Sequence, residues 1–346
     1  MAKKTMKALV ITIIVLFITG VGFTKGEKPK EIIPLRVSDS TTPTNFELVK
    51  KLTGKDILKE EGVILQPITV QGGEGGTVTM QALLANNLDI SGGSISIWVN
   101  VISKGAKVKL VRPVNSTEVP EYSGLLALEN SGIHTIKDLI GKKIAVNVLG
   151  AEADFIIRAF LKQNGLSIKQ VQLVVIPAAN QEQALRTGQV DAVAWTTSGG
   201  NYFDRAVENG GVRRIPGTSS YEARGNKRML NTAEGFRTEF IRKHPDTVRA
   251  YLKASDIATR LVLTEYQKDS ERVQKAYADI TEEKGGNPKL AKYYRGPRWS
   301  PKDNEFITDR DILFWIDNFV KSGILKPGQI KSSDVYTNEY LPYYQK

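Results

Sequence analysis

The pattern of apolar and polar positions alternates short apolar runs with glycine-bearing loops and stretches of helical periodicity. Runs typical of buried strands are LRVSDS (35–40), VILQPITV (63–70), LDIS (88–91), VKLVRPV (108–114) and YSGLLAL (122–128). Apolar residues recur at helical spacing over 46–58, 77–85 and 95–104. Strands that alternate with helices predict an α/β fold built on mostly parallel sheets flanked by helices.

A second series of the same kind begins near residue 130. Its predicted strands are 142–148, 171–176, 190–196 and 212–215, and its predicted helices are 153–164 and 181–186. After about residue 221 the apolar spacing becomes mostly helical. The pattern therefore predicts two α/β units followed by a helical C-terminal region.

The two series share an internal sequence echo. ALLANNLDI (82–90) and ALRTGQVDA (184–192) both begin with Ala-Leu and both end with an aspartate between apolar residues. Asn86 and Gly188 tolerate left-handed backbone geometry after a helix, and Asp89 and Asp191 come where the next strand begins. Two similar lobes explain the echo, although a chance match of four positions is the alternative.

The N-terminal segment 1–26 has a basic start followed by sixteen apolar-rich residues, 8–23. That length suits the core of a signal peptide and is short for a membrane span. We expect export to the periplasm or to the extracellular face of the membrane, with cleavage before Glu27. An uncleaved N-terminal anchor is the alternative.

Charge and composition exclude several classes of function. The formal charge is +11, of which four lysines lie in residues 1–26, and the remaining 44 basic and 37 acidic residues are spread along the chain. A nucleic-acid footprint would be clustered, so none is predicted. The chain has no cysteine and only two histidines, His134 and His244, both predicted to be exposed. Disulfides, a cysteine nucleophile and a histidine-rich metal site are excluded, and no catalytic residue or cofactor is predicted.

The loop QGGEGGTVTMQALL (71–84) places four glycines before a helical pattern. Such a loop surrounds an anion with backbone N–H groups, or it serves only as a turn. No Gly-Lys-Ser/Thr follows, which argues against a nucleotide phosphate loop. Glu74 inside the loop would repel an anionic ligand unless it points to solvent or the ligand carries a cationic part.

Several segments resemble the substrate-binding proteins of ABC transporters for sulfonates, nitrate and taurine, which are related to the pyrimidine-precursor proteins of thiamine metabolism. The similar segments are the glycine loop, LDISGG, IHTIKDLIGKKIAVNVLGAEADF (133–155), ALRTGQVDAVAW (184–195) and FIRKHPDTVRAYLKA (240–254). The resemblance covers about 33–330, and its most specific motifs mark architecture rather than ligand contact.

The resemblance implies a two-lobe type II periplasmic binding protein fold. Lobe one is expected to contain 33–127 and 220–346, and lobe two 128–219. The implied function is capture of a small organic anion between the lobes, by a monomer that delivers it to a membrane ABC permease. The alternatives are an enzyme or a sensory ectodomain on the same fold.

Ligands of such folds bind beyond the carboxyl ends of strands, at helix N-termini. The loops there predict ligand contact by Thr41, Thr42, Gly73, Thr77, Gly93, Ser94, Gly150, Ala151, Trp195 and Thr196. The glycines are alternatively required only by turns, the two threonines are alternatively helix caps, and Trp195 is alternatively a core residue. Ala151 and Thr196 replace a hydroxyl and an acid found in many relatives. Arg224 and Arg228 either add a cation to the cleft or are surface arginines, which is the commoner case.

Overall fold

The computed structural model describes residues 32–40, 42, 44–70, 76–117, 123–196, 200–219, 222, 229–297, 306–321 and 323–344. The predicted signal or anchor segment 1–26 lies outside the described residues. Within them, no helix has the length and apolar character needed to cross a membrane.

The strands form three sheets. In the first, β1 (Leu35–Ser38) pairs in parallel with β2 (Leu65–Ile68). In the second, β10 (Met229–Arg237) lies between β3 (Ile90–Ser94) and β4 (Val108–Thr117) and is antiparallel to both. The third has the order β7-β6-β8-β5-β9. Its strands are β5 (Gly124–Leu128), β6 (Lys143–Val146), β7 (Gln172–Val175), β8 (Ala192–Trp195) and β9 (Val212–Arg214).

Helices connect and cover these strands. Those before β9 are α1 (Asn45–Thr53), α2 (Ile57–Glu60), α3 (Gly76–Leu84), α4 (Ile95–Ser103), α5 (Glu152–Gln163), α6 (Ala178–Arg186) and α7 (Gly200–Glu208). Those after β10 are α8 (Thr238–Lys243), α9 (Pro245–Lys268), α10 (Ser270–Glu283), α11 (Asp309–Lys321) and α12 (Ser332–Val335).

Most predicted elements are present, and the strand β10 is the main correction. The segment MLNTAEGFR was predicted to belong to a mostly helical region, but it is the central strand of its sheet. Gly235 is required there, because a Cβ would overlap the Lys109 carbonyl and lie 2.7 Å from the Trp98 ring. Pairing with β3 and β4 overrides a local sequence with little strand character.

Two further predictions were wrong in detail. The helix predicted over 46–58 is two helices, because Gly54 ends α1 in the left-handed region with φ of 75°. The strand predicted over 88–91 ended too early, because Gly92 and Gly93 belong to β3, where they pair with Glu234 and Ala233.

The predicted lobe boundary at residue 128 cuts through an observed sheet. β5 pairs antiparallel with β8 and β9, so the five-stranded sheet begins before that boundary. The run GLLAL is buried over most of its length, which made its sheet membership unreadable from periodicity. The division into lobes remains a prediction.

The core consists of three apolar clusters. One packs α1, α9 and α10 against β3 and β10, and another packs α6 and α7 against the five-stranded sheet. The third includes Trp98 on α4, Phe160 on α5 and Trp315 on α11. The rings of Phe155 and Trp315 have centroids 4.7 Å apart. Helix α11 therefore packs against elements of both predicted lobes.

Candidate functional site

The first residue of α3 touches the last residues of β3. A Cβ on Gly76 would lie 3.1 Å from the Gly93 Cα, and a Cβ on Gly93 would lie 3.3 Å from the Gly76 Cα. A side chain at either position would press on the other backbone, so glycine favours this close approach. The N-terminus of α3 therefore lies at the carboxyl end of β3, where α4 begins directly after Ser94.

Hydroxyl groups line this junction. The Ser91 hydroxyl donates to the Thr79 hydroxyl at 2.9 Å, and the Ser94 and Ser96 hydroxyls are 2.7 Å apart. Ser94 occupies the N-cap position of α4, but no side chain caps the first turn of that helix. An uncapped helix N-terminus carries about half a positive charge and favours an anion.

A chain of contacts leads from Ser94 to the N-terminus of α5. Thr232 on β10 lies opposite Ser94, and its neighbour Asn231 is fully buried. The Asn231 side chain donates to the carboxylate of Glu152 at 2.6 Å. Glu152 is the first residue of α5, and its N-cap, Ala151, makes no side-chain cap bond. One helix N-terminus from each predicted lobe therefore lies along this path.

The loop before α5 is partly satisfied within the chain. The Gly150 N–H donates to the Asp154 carboxylate at 2.8 Å, and Arg158 holds the same carboxylate at 2.6 Å. Gly150 has φ of 75°, a left-handed geometry that suits glycine. In this structure its N–H serves the turn, and Ala151 is buried beside it.

A charged group that the sequence reasoning missed lies beside Gly92. Arg112 on β4 and Glu234 on β10 form an ion pair at 2.6 Å, and a Cβ on Gly92 would lie 3.5 Å from the Glu234 side chain. Arg112 also donates to Thr259 at 3.0 Å, and Tyr251 donates to Glu234 at 3.3 Å. The only signal in the sequence was an arginine within an apolar strand, because its partner is 122 residues away.

The electrostatics of this group follow from burial and the ion pair. Burial alone would lower the pKa of Arg112, but the adjacent Glu234 carboxylate outweighs it and raises that pKa. Burial, and next the Glu234 charge, raise the pKa of Tyr251. Arg112 is therefore cationic and Tyr251 neutral at neutral pH, so Tyr251 acts as a hydrogen-bond donor.

The remaining predicted site residues are spread over several environments. Thr42 is exposed and donates its N–H to Ser40, and Thr77 is half-buried near the start of α3. Thr44 caps α1 with Glu47, so Thr42 does not have the alternative capping role. Thr41, Gly73, Glu74, Arg224 and Arg228 lie outside the described residues.

Trp195, predicted to contact the ligand, belongs to the core. Trp195 is 3% exposed and packs with Leu126 and Phe203 in the apolar cluster of the five-stranded sheet. Thr196 after it is also buried. Of the two histidines, His134 is exposed as predicted, whereas His244 is half-buried with its ring 5.0 Å from the Phe240 ring, so that prediction was wrong.

Similar sequences and structures identify the family and the fold of this chain. Residues 54–267, more than half of the chain, match the sequence profile described as NMT1/THI5 like. The chain belongs to the NMT1/THI5-like family. This confirms the resemblance noted in the sequence, because the pyrimidine-precursor proteins of thiamine metabolism were among the relatives it named.

Three relatives of this NMT1/THI5-like chain illustrate its similarities. A putative aliphatic sulfonates-binding protein of Escherichia coli K12 is 30% identical over 139 residues, which are 40% of this chain and only 41% of the relative's length. The alkanesulfonate-binding protein SsuA of Xanthomonas axonopodis pv. citri, solved with MOPS, superposes with a TM-score of 0.68 at 17% identity, covering 90% of this chain and 99% of SsuA. The desulfurization enzyme DSZB superposes at 0.58 and 14% identity, covering 89% and 96%.

These structural similarities establish the periplasmic binding protein fold and confirm the predicted α/β class. At such identities they carry the fold alone, and the same fold is used by binding proteins and by an enzyme. What this chain binds must therefore be argued from its own residues.

Proposed function

We propose that this protein is the extracytoplasmic solute-binding component of an ABC importer and captures a small organic anion, such as a sulfonate, or nitrate, between its two lobes. The observation that carries the proposal is the contact path from Ser94 at the start of α4 to Glu152 at the start of α5. It brings uncapped helix N-termini from both lobes to one region.

The chemistry of this region favours an anion of low charge. Each helix N-terminus contributes about half a positive charge, and hydroxyls of Ser94 and Ser96 add donors without a formal charge. Glu152 lies close by, whereas the charge of Glu234 is offset by its ion pair with Arg112, so a dianion would meet the Glu152 carboxylate. Monoanions such as sulfonates and nitrate, or amino-sulfonates with a cationic group, fit this balance better.

The contacting residues are proposed to be those at the strand ends and helix starts: Thr41, Thr42, Gly73, Thr77, Gly93, Ser94, Gly150, Ala151, Trp195 and Thr196. Gly93 and Ser94 are the strongest of these, because they lie where α3, β3 and α4 meet. Gly150 and Trp195 are the weakest, because the first has its N–H bonded within the loop and the second is in the core.

The proposal also concerns the location of the protein and its membrane partner. Segment 1–26 would export the chain or anchor it, and lobe closure on the ligand would present it to a membrane permease as a monomer. Binding by closure requires no nucleophile, and we propose no catalytic step.

Thermal unfolding with a ligand panel tests this function. Methanesulfonate, taurine, nitrate and benzoate are each added to the mature chain, and a true ligand stabilises it by about 2.7 kcal/mol at one hundred times its Kd. Ser94→Ala removes a charge-assisted hydrogen bond and should weaken binding about tenfold. Ser103→Ala, a hydroxyl lost at the other end of α4, is the matched control.

Two results would contradict the proposal. One is the absence of any stabilisation across the panel. The other is chemical conversion of a bound ligand, seen by mass spectrometry after incubation, because that would indicate an enzyme rather than a carrier.

A further inference from the structure

A cavity of about 250 Å³ lies between α5 and α11. Its apolar lining comes from the rings of Phe155 and Phe319 and from Ile324, which is 50% exposed. Three cations, Arg158, Lys162 and Lys321, line the same cavity. An apolar interior that ends in cationic side chains has the form of a site for an amphipathic molecule.

The charge of this lining is unbalanced. Asp154 is the one carboxylate among the residues that line the cavity, and it already accepts hydrogen bonds from Gly150 and Arg158. Three cations and one carboxylate leave a net charge of +2 (3 − 1). Lys162 and Lys321 are exposed and form no ion pair with the described residues, so their charges are available to a ligand.

We propose that this cavity binds an amphipathic organic monoanion, an aliphatic chain with one carboxylate or sulfonate head. A cavity of 150 Å³ holds benzene, so this cavity holds a chain of about eight carbons. The chain lies on Phe155 and Phe319, and the head lies between Lys162 and Lys321. This site adjoins the proposed solute site, because Gly150 is assigned to both, but its other lining residues belong to α5 and α11 and its argument does not depend on the solute.

The position of the cavity gives its occupant a structural effect. Asp154 and Gly150 line it and also form the loop that begins α5. Helix α11 forms the other wall and packs on α5 through Trp315. A bound chain therefore ties α5 to α11 and should slow local opening between these two helices.

Calorimetric titration of the mature chain with sodium octanoate tests the site. Because each buried methylene strengthens binding about fourfold, octanoate should bind about fifteenfold more tightly than hexanoate. Octanol, which lacks the charge, should bind at least tenfold more weakly than octanoate. Hydrogen exchange in α5 and α11 should slow on octanoate binding.

Variants locate the binding. Ala159→Leu fills the cavity from α5 and should abolish octanoate binding. Lys321→Met removes an exposed cation and should weaken binding at least fivefold, while Lys326→Met, an exposed lysine outside the lining, should leave it unchanged.

Three outcomes would overturn the proposal. They are no detectable octanoate binding, equal binding of octanol and octanoate, and wild-type octanoate affinity in Lys321→Met. If Ala159→Leu does not fold, Lys321→Met and its lysine control still decide the question.

Discussion

Asp89 and Arg36 are joined through both their backbones and their side chains. The Asp89 N–H donates to the Arg36 carbonyl at 2.9 Å, and the Asp89 carboxylate accepts from the Arg36 N–H at 2.9 Å and from its guanidinium at 2.6 Å. Asp191 and Lys143 repeat the backbone part: the Asp191 N–H donates to Lys143, whose own N–H donates to the carboxylate at 2.8 Å. The internal sequence echo therefore marks the same arrangement in both series: an aspartate holds the start of one strand against the neighbouring strand.

The two aspartates should differ in what they contribute to stability. Asp89 is 4% exposed and holds two guanidiniums, from Arg36 and Arg237, whereas Asp191 is 37% exposed. We expect Asp89→Asn to lower the free energy of unfolding by about 3 kcal/mol, because it breaks a buried ion pair. Asp191→Asn should cost less than about 1 kcal/mol. Urea denaturation of both variants measures the difference, and equal losses would contradict the assignment.

Acid should destabilise the fold through two buried carboxylates. Burial alone would raise the pKa values of Asp89 and Glu182, but hydrogen bonds from Arg36 to the first, and from Asn209, Arg205 and Arg186 to the second, outweigh it and lower both. A lowered pKa in the folded state adds stability that is present above the unfolded pKa, about 4, and is lost as the pH falls through the folded value.

The loss of stability in acid should thus begin near pH 5 and deepen below pH 4. Urea midpoints measured from pH 7 to pH 2 should stay level to about pH 5 and then fall, and Asp89→Asn should make that fall shallower. A fall that begins above pH 6, or one that Asp89→Asn leaves unchanged, would show that other groups govern it.

Ion pairs join α7, in predicted lobe two, to the segment that follows α10, in predicted lobe one. Glu208 pairs with Lys292 at 2.6 Å and accepts from Tyr293, and Asp204 pairs with Arg295 at 2.9 Å. Both pairs are surface contacts, so each is weak and sensitive to salt. Because they cross between the lobes, they should favour the closed arrangement.

Removal of these pairs should open the unliganded protein. The double variant Lys292→Met with Arg295→Met should raise the ligand Kd about two- to fivefold and increase the radius of gyration in small-angle scattering. Lys289→Met, an exposed lysine of the same segment, is the control. In 1 M salt the ligand Kd of the wild type should approach that of the double variant. A Kd that changes neither with salt nor in the double variant would contradict the proposed role of these ion pairs.

Two glycines should respond to alanine for different reasons. At Gly235 a Cβ would overlap the Lys109 carbonyl, so Gly235→Ala should destabilise by about 3 kcal/mol or prevent folding. At Gly62, with φ of 69° and nothing within 4 Å of the added Cβ, Gly62→Ala should cost about 1 kcal/mol from backbone geometry alone. Urea midpoints compare them, and a smaller loss at Gly235 would contradict the tight packing.

The sequence determined the features that depend on near neighbours along the chain. Apolar periodicity predicted most helices and strands, because a helix face or a buried strand repeats within a few residues. The left-handed positions expected at Asn86 and Gly188 are observed, with φ of 63° and 72°. Segment similarity also placed the chain in its family and predicted the fold class.

Tertiary structure alone decided which distant residues meet. The strand β10 exists because β3 and β4 pair with it, and the pairing of Arg112 with Glu234 spans 122 residues. Tertiary structure also brought Gly93 into backbone contact with Gly76 and directed the Gly150 N–H to the Asp154 carboxylate. It placed Trp195 in the core. Local propensity carries no term for such long-range contacts, since their energy arises only when packing brings the partners together.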